Sequence, residues 1–345
     1  MKAIVFHEHG GPEVLRYEEI ATPTPGPGEA LLRVRAVSVN RTLDGEVRQR
    51  GANYPLRFPH ILGPDPSGEV VAVGEGVDNV AVGQRVVVHH VLHCGECAAC
   101  RAGQIQRCRN YGVFGVHRPG GDAEYAVAPA RNLLPIPPGL SDVEAAAMMV
   151  TYPTAWHLLA TRGGVQPGET VLVLAAGGAL GTAGVQIARY LGARVIAAAG
   201  ADWKLERARG LGADDTVNYQ QEKLSEVVLR LTDGLGADVV FENVSSRELF
   251  PESMASLGIG GRLVTCGTHG GGVVEIDLRP FYRKHQSLLG SFGASWEEVR
   301  RVYQLAAEGH FRPVLHQTLP LEEAAEAHRT VATRDTFGRV VLTVP

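Results

Sequence analysis

The sequence predicts an α/β protein built on a doubly wound parallel sheet, with a mainly β region ahead of it. Three observations predict it. From residue 170 onward apolar strand-like runs alternate with helical stretches, a glycine loop joins one of those strands to the next helix, and the first 140 residues are dense in short strands and Pro/Gly turns. A chain of 345 residues suits two domains better than one.

The β-rich front part contains ALLRVRAVSV (30–39), SGEVVAVGEGV (67–77) and QRVVVHHVL (84–92), separated by turns such as TPTPGPGE (22–29). Near residue 141 the pattern changes. SDVEAAAMMV reads as a helix with an acidic first turn, and TAWHLLATRGG as a second helix ending in glycine. TVLVLAA (170–176) is a continuous apolar strand, and LGTAGVQIARYLG (180–192) is a helix with a face of small residues. ARVIAAAG (193–200), DWKLERARGLG (202–212) and ADDTVNY (213–219) then read as strand, helix and strand. EVVLRLTDG (226–234), ADVVFENV (237–244) and GRLVTCG (261–267) continue the alternation, the pattern of a parallel sheet covered on both faces. A helix, WEEVRRVYQLAAEG (296–309), and a closing strand, GRVVLTVP, end the chain.

With 45% hydrophobic and 20% charged residues, the composition is that of a folded globular chain rather than a disordered one. The net charge of −4 argues against a nucleic-acid footprint and against an anionic membrane surface. No apolar run approaches the roughly 20 residues of a membrane span. The opening MKAIVFHEHGGPEVL goes straight into strand-like sequence without an apolar leader, so the expected location is the cytoplasm, where disulfides are disfavoured.

AAGGALG (175–181) lies between a strand and a helix. In a Gly-x-Gly-x-x-Gly frame Ala176 takes the first position, Gly178 the second and Gly181 the third. Gly178 lets the backbone approach a pyrophosphate, Gly181 lets helix and strand pack closely, and Ala179 and Leu180 open the helix whose N–H groups face the phosphates. Within a βαβ unit the motif points to a dinucleotide. The next strand ends Ala198-Ala199-Gly200-Ala201, with no carboxylate at its tip to hold a ribose 2′-hydroxyl. Lys204 is close enough in sequence to pair with a 2′-phosphate, which favours NADP(H), with NAD possible. Asp202 is the rival, as a ribose ligand or as the N-cap of the following helix.

Four of the five cysteines stand in CGECAACRAGQIQRC: Cys94, Cys97, Cys100 and Cys108, spaced C-x2-C-x2-C-x7-C. Four thiolates close a tetrahedral shell around one Zn²⁺ and leave no open ligand position. An iron–sulfur cluster, whose usual spacings differ, and a lobe of free thiols are the alternatives. Cys266, inside GRLVTCG, reads as a buried small apolar residue.

A β-rich front, a four-cysteine lobe and a central Ala-x-Gly-x-x-Gly unit together resemble the medium-chain dehydrogenase/reductase superfamily of zinc alcohol dehydrogenases and quinone oxidoreductases. GGPEVL, GEVVAVGEGV, VNY and FGRVVL resemble its quinone-reductase side. The resemblance implies a GroES-like catalytic domain, residues 1–152 and 295–345 with a zinc lobe at 93–109, and an inserted Rossmann domain, 153–294. It implies one structural zinc per chain on the four cysteines.

In the zinc alcohol dehydrogenases a cysteine, a histidine and a second cysteine hold a catalytic metal that stabilises the developing alkoxide. The matching positions here are Asn40, Pro64 and Val150, so the catalytic zinc is expected to be lacking. Asn40 matches an asparagine of the quinone enzymes and is the candidate substrate-polarising donor. Thr42 matches the hydroxyl that opens a proton relay, and Asp44 and Asp65 are acid–base or cleft-shaping candidates. Turn capping is the alternative for Asn40 and Asp65. Tyr54 either lines the cleft or packs.

The resemblance further places Thr154, Asn243, Gly267, Ser291 and Phe292 near the nicotinamide half. Lys204 and Tyr219 fall near a 2′-phosphate, and Arg339 closes over the cofactor. Each of these could instead be structural. The implied activity is hydride transfer from NAD(P)H to a quinone or an α,β-unsaturated carbonyl, by a homodimer or homotetramer acting on a small molecule. Alcohol dehydrogenase activity, or nucleotide binding with little turnover, are the competing readings.

Overall fold

A computed structural model describes residues 1–51, 54 and 56–345. The chain divides into two units, Met1–Val150 with Ser295–Pro345, and Thr151–Ala294.

In the first unit alternating apolar residues build a seven-stranded sheet. Glu29–Val39 is its longest strand, and it pairs antiparallel with Ser67–Val73, with Tyr125–Pro129 and with the closing strand Arg339–Thr343. Leu32, Val34, Val37, Val70, Val86, Phe114, Ala128 and Leu342 turn inward and form its core. The stretch expected as one strand over 84–92 is split. Arg85–Val88 stays in the large sheet, whereas Val91–Leu92 pairs with Gly112–Val113. His89 and His90 occupy the break, and the Asn132 side chain donates to the carbonyls of His89 and Val91 on either side of it. Asp142–Met149 is a helix as expected, closed at its N-terminus by a reciprocal Ser141–Glu144 capping box.

The second unit holds six parallel strands: β1 (Thr170–Val173), β2 (Arg194–Ala199), β3 (Asp215–Asn218), β4 (Ala237–Glu242), β5 (Leu257–Thr265) and β6 (Ser287–Gly290). Their order is β3-β2-β1-β4-β5-β6, a doubly wound sheet with its switch point between β1 and β4. Helix α1 (Ala179–Tyr190) follows β1 and α2 (Asp202–Gly210) follows β2. Strands buried on both faces explain the unbroken apolar runs: Leu172, Ile196, Val217, Val240 and Leu263 share one core cluster. The carboxyl ends of β1, β4, β5 and β6 therefore lie side by side along one edge.

Among the described residues no helix is long and apolar enough to cross a membrane.

Candidate active site and zinc lobe

In the first unit the strand Glu29–Val39 ends at Asn40, and the chain turns at once into a π-helical turn, Arg41–Glu46. Both the Asp44 and Gly45 N–H groups return to the Asn40 carbonyl, at 3.1 Å each. The wider turn accommodates the long segment after Asn40, a π-turn use common at functional sites. Thr42 lies on this turn, half-buried.

Asn40 is buried, and both ends of its amide are engaged. Its Oδ1 accepts from Arg339 Nη2, and its Nδ2 donates to the Ser38 carbonyl at 3.2 Å. A guanidinium has only donors, so the amide orientation is forced. Arg339 Nη2 also reaches Asp65 Oδ2 at 3.2 Å. Asp65 has no exposed surface and accepts the Ser38 N–H at 3.1 Å and the Ser38 hydroxyl at 2.5 Å.

Two site candidates thus meet each other. The Arg339 guanidinium is buried and turned onto Asn40 and Asp65, while its Nε is buried without a hydrogen-bond partner. Asp65 pairs with that cation, and the Ser38 bonds share its oxygens.

Two more carboxyls crowd the same place. Asp44 accepts the Asn40 N–H at 2.6 Å and the Gly63 N–H at 3.1 Å. Burial, reinforced by the Asp65 charge, pushes it up to about 7 against those hydrogen bonds. Burial also raises Asp65, opposed by Arg339, and raises Asp122 well above the carboxylate range with help from the Asp44 and Asp65 charges. On the cationic side His90 is pushed down to about 4, by burial first and then by Arg339, so its ring is neutral near pH 7. His90 stacks on His89 at 5.2 Å, and His89 in turn meets the Trp296 ring at 5.0 Å. Sequence reasoning singled out neither Asp122 nor His90, since nothing local in GGDAE or VVVHHV signals a buried charge cluster. Tyr54, half-buried, meets the His117 ring edge-on at 5.0 Å.

The four cysteines come together in a lobe of their own. Their Sγ atoms all lie within 4.8 Å of one another. Neighbouring sulfurs are separated by 3.5 Å (Cys97–Cys100), 3.6 Å (Cys94–Cys108), 3.9 Å (Cys94–Cys100) and 4.0 Å (Cys97–Cys108). Tetrahedral Zn–S bonds of about 2.3 Å require sulfurs about 3.8 Å apart, so the donor set fits zinc. The backbone N–H groups of Cys94 and Cys97 point at the Cys108 and Cys94 sulfurs respectively, at 3.4 Å each.

In the second unit the residues fit a dinucleotide. Gly178 caps α1 with no side chain of its own, leaving the N–H groups of the first turn, at Ala179, Leu180 and Gly181, to a ligand. A Cβ on Gly181 would lie 2.1 Å from the Ala175 carbonyl oxygen, so only glycine permits this helix–strand approach. Lys204 runs across the loop: a Cβ on Gly177 would lie 2.8 Å from its Cδ, and its ammonium sits 5.2 Å from the Trp203 ring centre. Tyr219 lies against Gly200, where a Cβ would come within 3.1 Å of its ring.

Asp202 is the first residue of α2, not its N-cap, which is Ala201. Its carboxylate is held by Asn218 Nδ2 at 2.6 Å and Gln221 Nε2 at 3.0 Å. At the edge formed by β4, β5 and β6, Asn243 Oδ1 and Ser291 Oγ are buried without a hydrogen-bond partner. Unpaired buried polar atoms at the carboxyl edge of such a sheet are what a bound coenzyme would satisfy. Gly267 lies there too, and Phe292 is exposed. Thr154 sits in the short helix Tyr152–Trp156.

Residues 26–138 match the family model described as alcohol dehydrogenase GroES-like domain, and residues 179–308 match the one described as zinc-binding dehydrogenase. L-threonine 3-dehydrogenase of Pyrococcus horikoshii is 34% identical over 94% of this chain and 93% of its own length. The chain belongs to the medium-chain dehydrogenase/reductase superfamily. Another relative in this superfamily, the quinone oxidoreductase of Pseudomonas aeruginosa, is 31% identical over 99% of both chains. A crystal structure described as an NAD-dependent alcohol dehydrogenase superposes with a TM-score of 0.94, at 42% identity over the whole of both chains.

The catalytic zinc of the superfamily's alcohol dehydrogenases does not fit this chain. Proline and valine at 64 and 150 offer no ligand atom, and Arg339 already places a positive charge on Asn40 Oδ1. Among the described residues the four-cysteine lobe is the one cluster of three or more His, Cys, Asp or Glu able to hold a metal.

Two outcomes test this electrostatic and metal geometry. Asp44 binds its proton more tightly folded than unfolded, where its value is near 3.8. Its contribution to stability is therefore complete below about pH 4 and is lost as the pH rises through about 7. Urea midpoints measured from about pH 5 to about pH 8 should fall less steeply in Asp44→Asn than in the unaltered protein, and equal slopes would contradict the shift. Cys108→Ser should hold less than one zinc per chain and melt several degrees lower, while kcat of the folded fraction stays within about twofold. Unchanged melting would remove the lobe's structural role.

Proposed function

We propose that this chain, a nicotinamide-dependent oxidoreductase of the medium-chain superfamily, reduces quinones or α,β-unsaturated carbonyls with NADPH, without a catalytic metal and with one structural zinc on the cysteine lobe. The observation that carries this reading is the Arg339 guanidinium on Asn40 and Asp65. A simple ketone would leave a localised alkoxide, which needs a Lewis acid. A conjugated acceptor spreads the charge over an enolate or hydroquinone oxygen, for which hydrogen-bond donors and one proton suffice.

The bound coenzyme supplies the hydride. The first turn of α1 holds its pyrophosphate. Asn243 and Ser291 take the polar groups of its nicotinamide end, near Thr154, Gly267 and Phe292. Lys204 and Tyr219 receive a 2′-phosphate. The carboxylate-free tip of β2 and the engagement of Asp202 by Asn218 and Gln221 support NADPH over NADH. Thr42 delivers the proton, and Asn40 offers the second Nδ2 hydrogen, the first being donated to the Ser38 carbonyl while Arg339 holds the Oδ1 end.

NADPH absorbance followed with a naphthoquinone, an enal and, in reverse, a primary alcohol tests the reading. Turnover is expected with the first two and not with the alcohol, and Lys204→Ala should raise the NADPH KM about tenfold while sparing NADH. Alcohol oxidation that depends on added zinc would overturn the reaction class.

A further inference from the structure

Glu242, the last residue of β4, is fully buried, and no ion pair involves it among the described residues. Its carboxylate is instead surrounded by neutral donors. Oε1 accepts the N–H groups of Val244 at 2.8 Å and Ser245 at 2.6 Å. Oε2 accepts the Thr265 hydroxyl at 2.7 Å and lies 2.9 Å from the Ser245 hydroxyl, which also reaches the Gly267 carbonyl at 2.6 Å. A buried carboxylate without a cation needs such donors.

The bonds join two neighbouring strand ends into one unit. Thr265 stands opposite Glu242 in the β4–β5 register, and the Ser291 N–H following β6 donates to the Thr265 carbonyl at 2.9 Å. Ser245 has φ of +53°, the left-handed region that a non-glycine residue holds only when its surroundings impose it. The turn so imposed carries Asn243, whose Oδ1 is one of the unpaired buried atoms. Gly267 approaches that turn so closely that a Cβ there would lie 2.3 Å from the Asn243 carbonyl oxygen.

We propose that Glu242 is a positioning residue for the nicotinamide half of the coenzyme, clamping the Asn243-Val244-Ser245 turn to Thr265 so that Asn243, Gly267 and Ser291 keep one arrangement. The proposal rests on the coenzyme reading above. A merely structural role would weaken the whole nucleotide site together, whereas a positioning role separates its two halves.

The full-length protein and its Glu242→Gln variant are titrated calorimetrically with NADPH, NADH and ADP-ribose, which lacks the nicotinamide. Glutamine keeps the shape but replaces one acceptor oxygen by a donor. The preferred coenzyme should bind about tenfold more weakly to the variant, ADP-ribose within about twofold of its original affinity, and kcat should fall with the coenzyme affinity. Thr265→Val, which removes one donor and leaves the acid, should shift the same ratio in the same direction by about threefold, and it carries the test should Glu242→Gln not fold. Coenzyme affinity unchanged in both variants, or lost in step with ADP-ribose affinity, overturns the positioning role. Original protein that binds none of the three ligands overturns the coenzyme reading itself, and this role with it.

Discussion

A guanidinium buried at the end of a strand has to be paired, and the contacts of Arg339 organise the first unit's candidate site. Taking a charge out of water costs several kcal/mol unless a partner and further hydrogen bonds compensate it. Asp65 supplies the partner, Ser38 fills the remaining acceptor sites of Asp65, and Asn40 accepts the other Arg339 contact. Removing either charge would strand the other, at a cost of about 3–5 kcal/mol. Around the pair, burial and the Asp65 charge drive Asp44 and Asp122 toward their protonated forms, while Arg339 opposes the same rise in Asp65.

This constraint decides what the site can do. In the proposed reading Arg339 is the cation beside Asn40, the position that matches a zinc-binding cysteine of the related alcohol dehydrogenases. Charge on a reacting oxygen is, in that reading, met by hydrogen-bond donors rather than by a Lewis acid, which suits acceptors that delocalise it. Among the described residues the cysteine lobe is the group able to hold a metal, and its sulfur spacing matches a closed tetrahedral shell with no position for substrate.

The second unit was legible almost throughout. Continuous apolar strands and the loop AAGGALG are local patterns, and the structure places β1, the loop and α1 where those patterns put them. The cysteine lobe was equally legible, because ligand count and spacing are written in one short stretch. The charge cluster was not. Arg339 lies 299 residues from Asn40 and 274 from Asp65, and no local pattern links positions so far apart. Nothing in the sequence around Asp65 announces its pairing with Arg339. Glu242 was hidden for a similar reason: a glutamate ending an apolar strand resembles any solvent-facing strand end until Thr265 and Ser245 are brought against it. The break at His89-His90 inside a β-branched run escaped notice because only tertiary pairing divides Val88 from Val91.

The central claim is that the chain's own guanidinium, and not a metal, occupies the charged locus beside Asn40. Zinc-edge anomalous diffraction from crystals grown with zinc and coenzyme tests it most directly. The account predicts one zinc peak per chain, enclosed by Cys94, Cys97, Cys100 and Cys108, with Arg339 in contact with Asn40 and Asp65. A second peak beside Asn40 or Asp65, with the Arg339 side chain displaced, would contradict it.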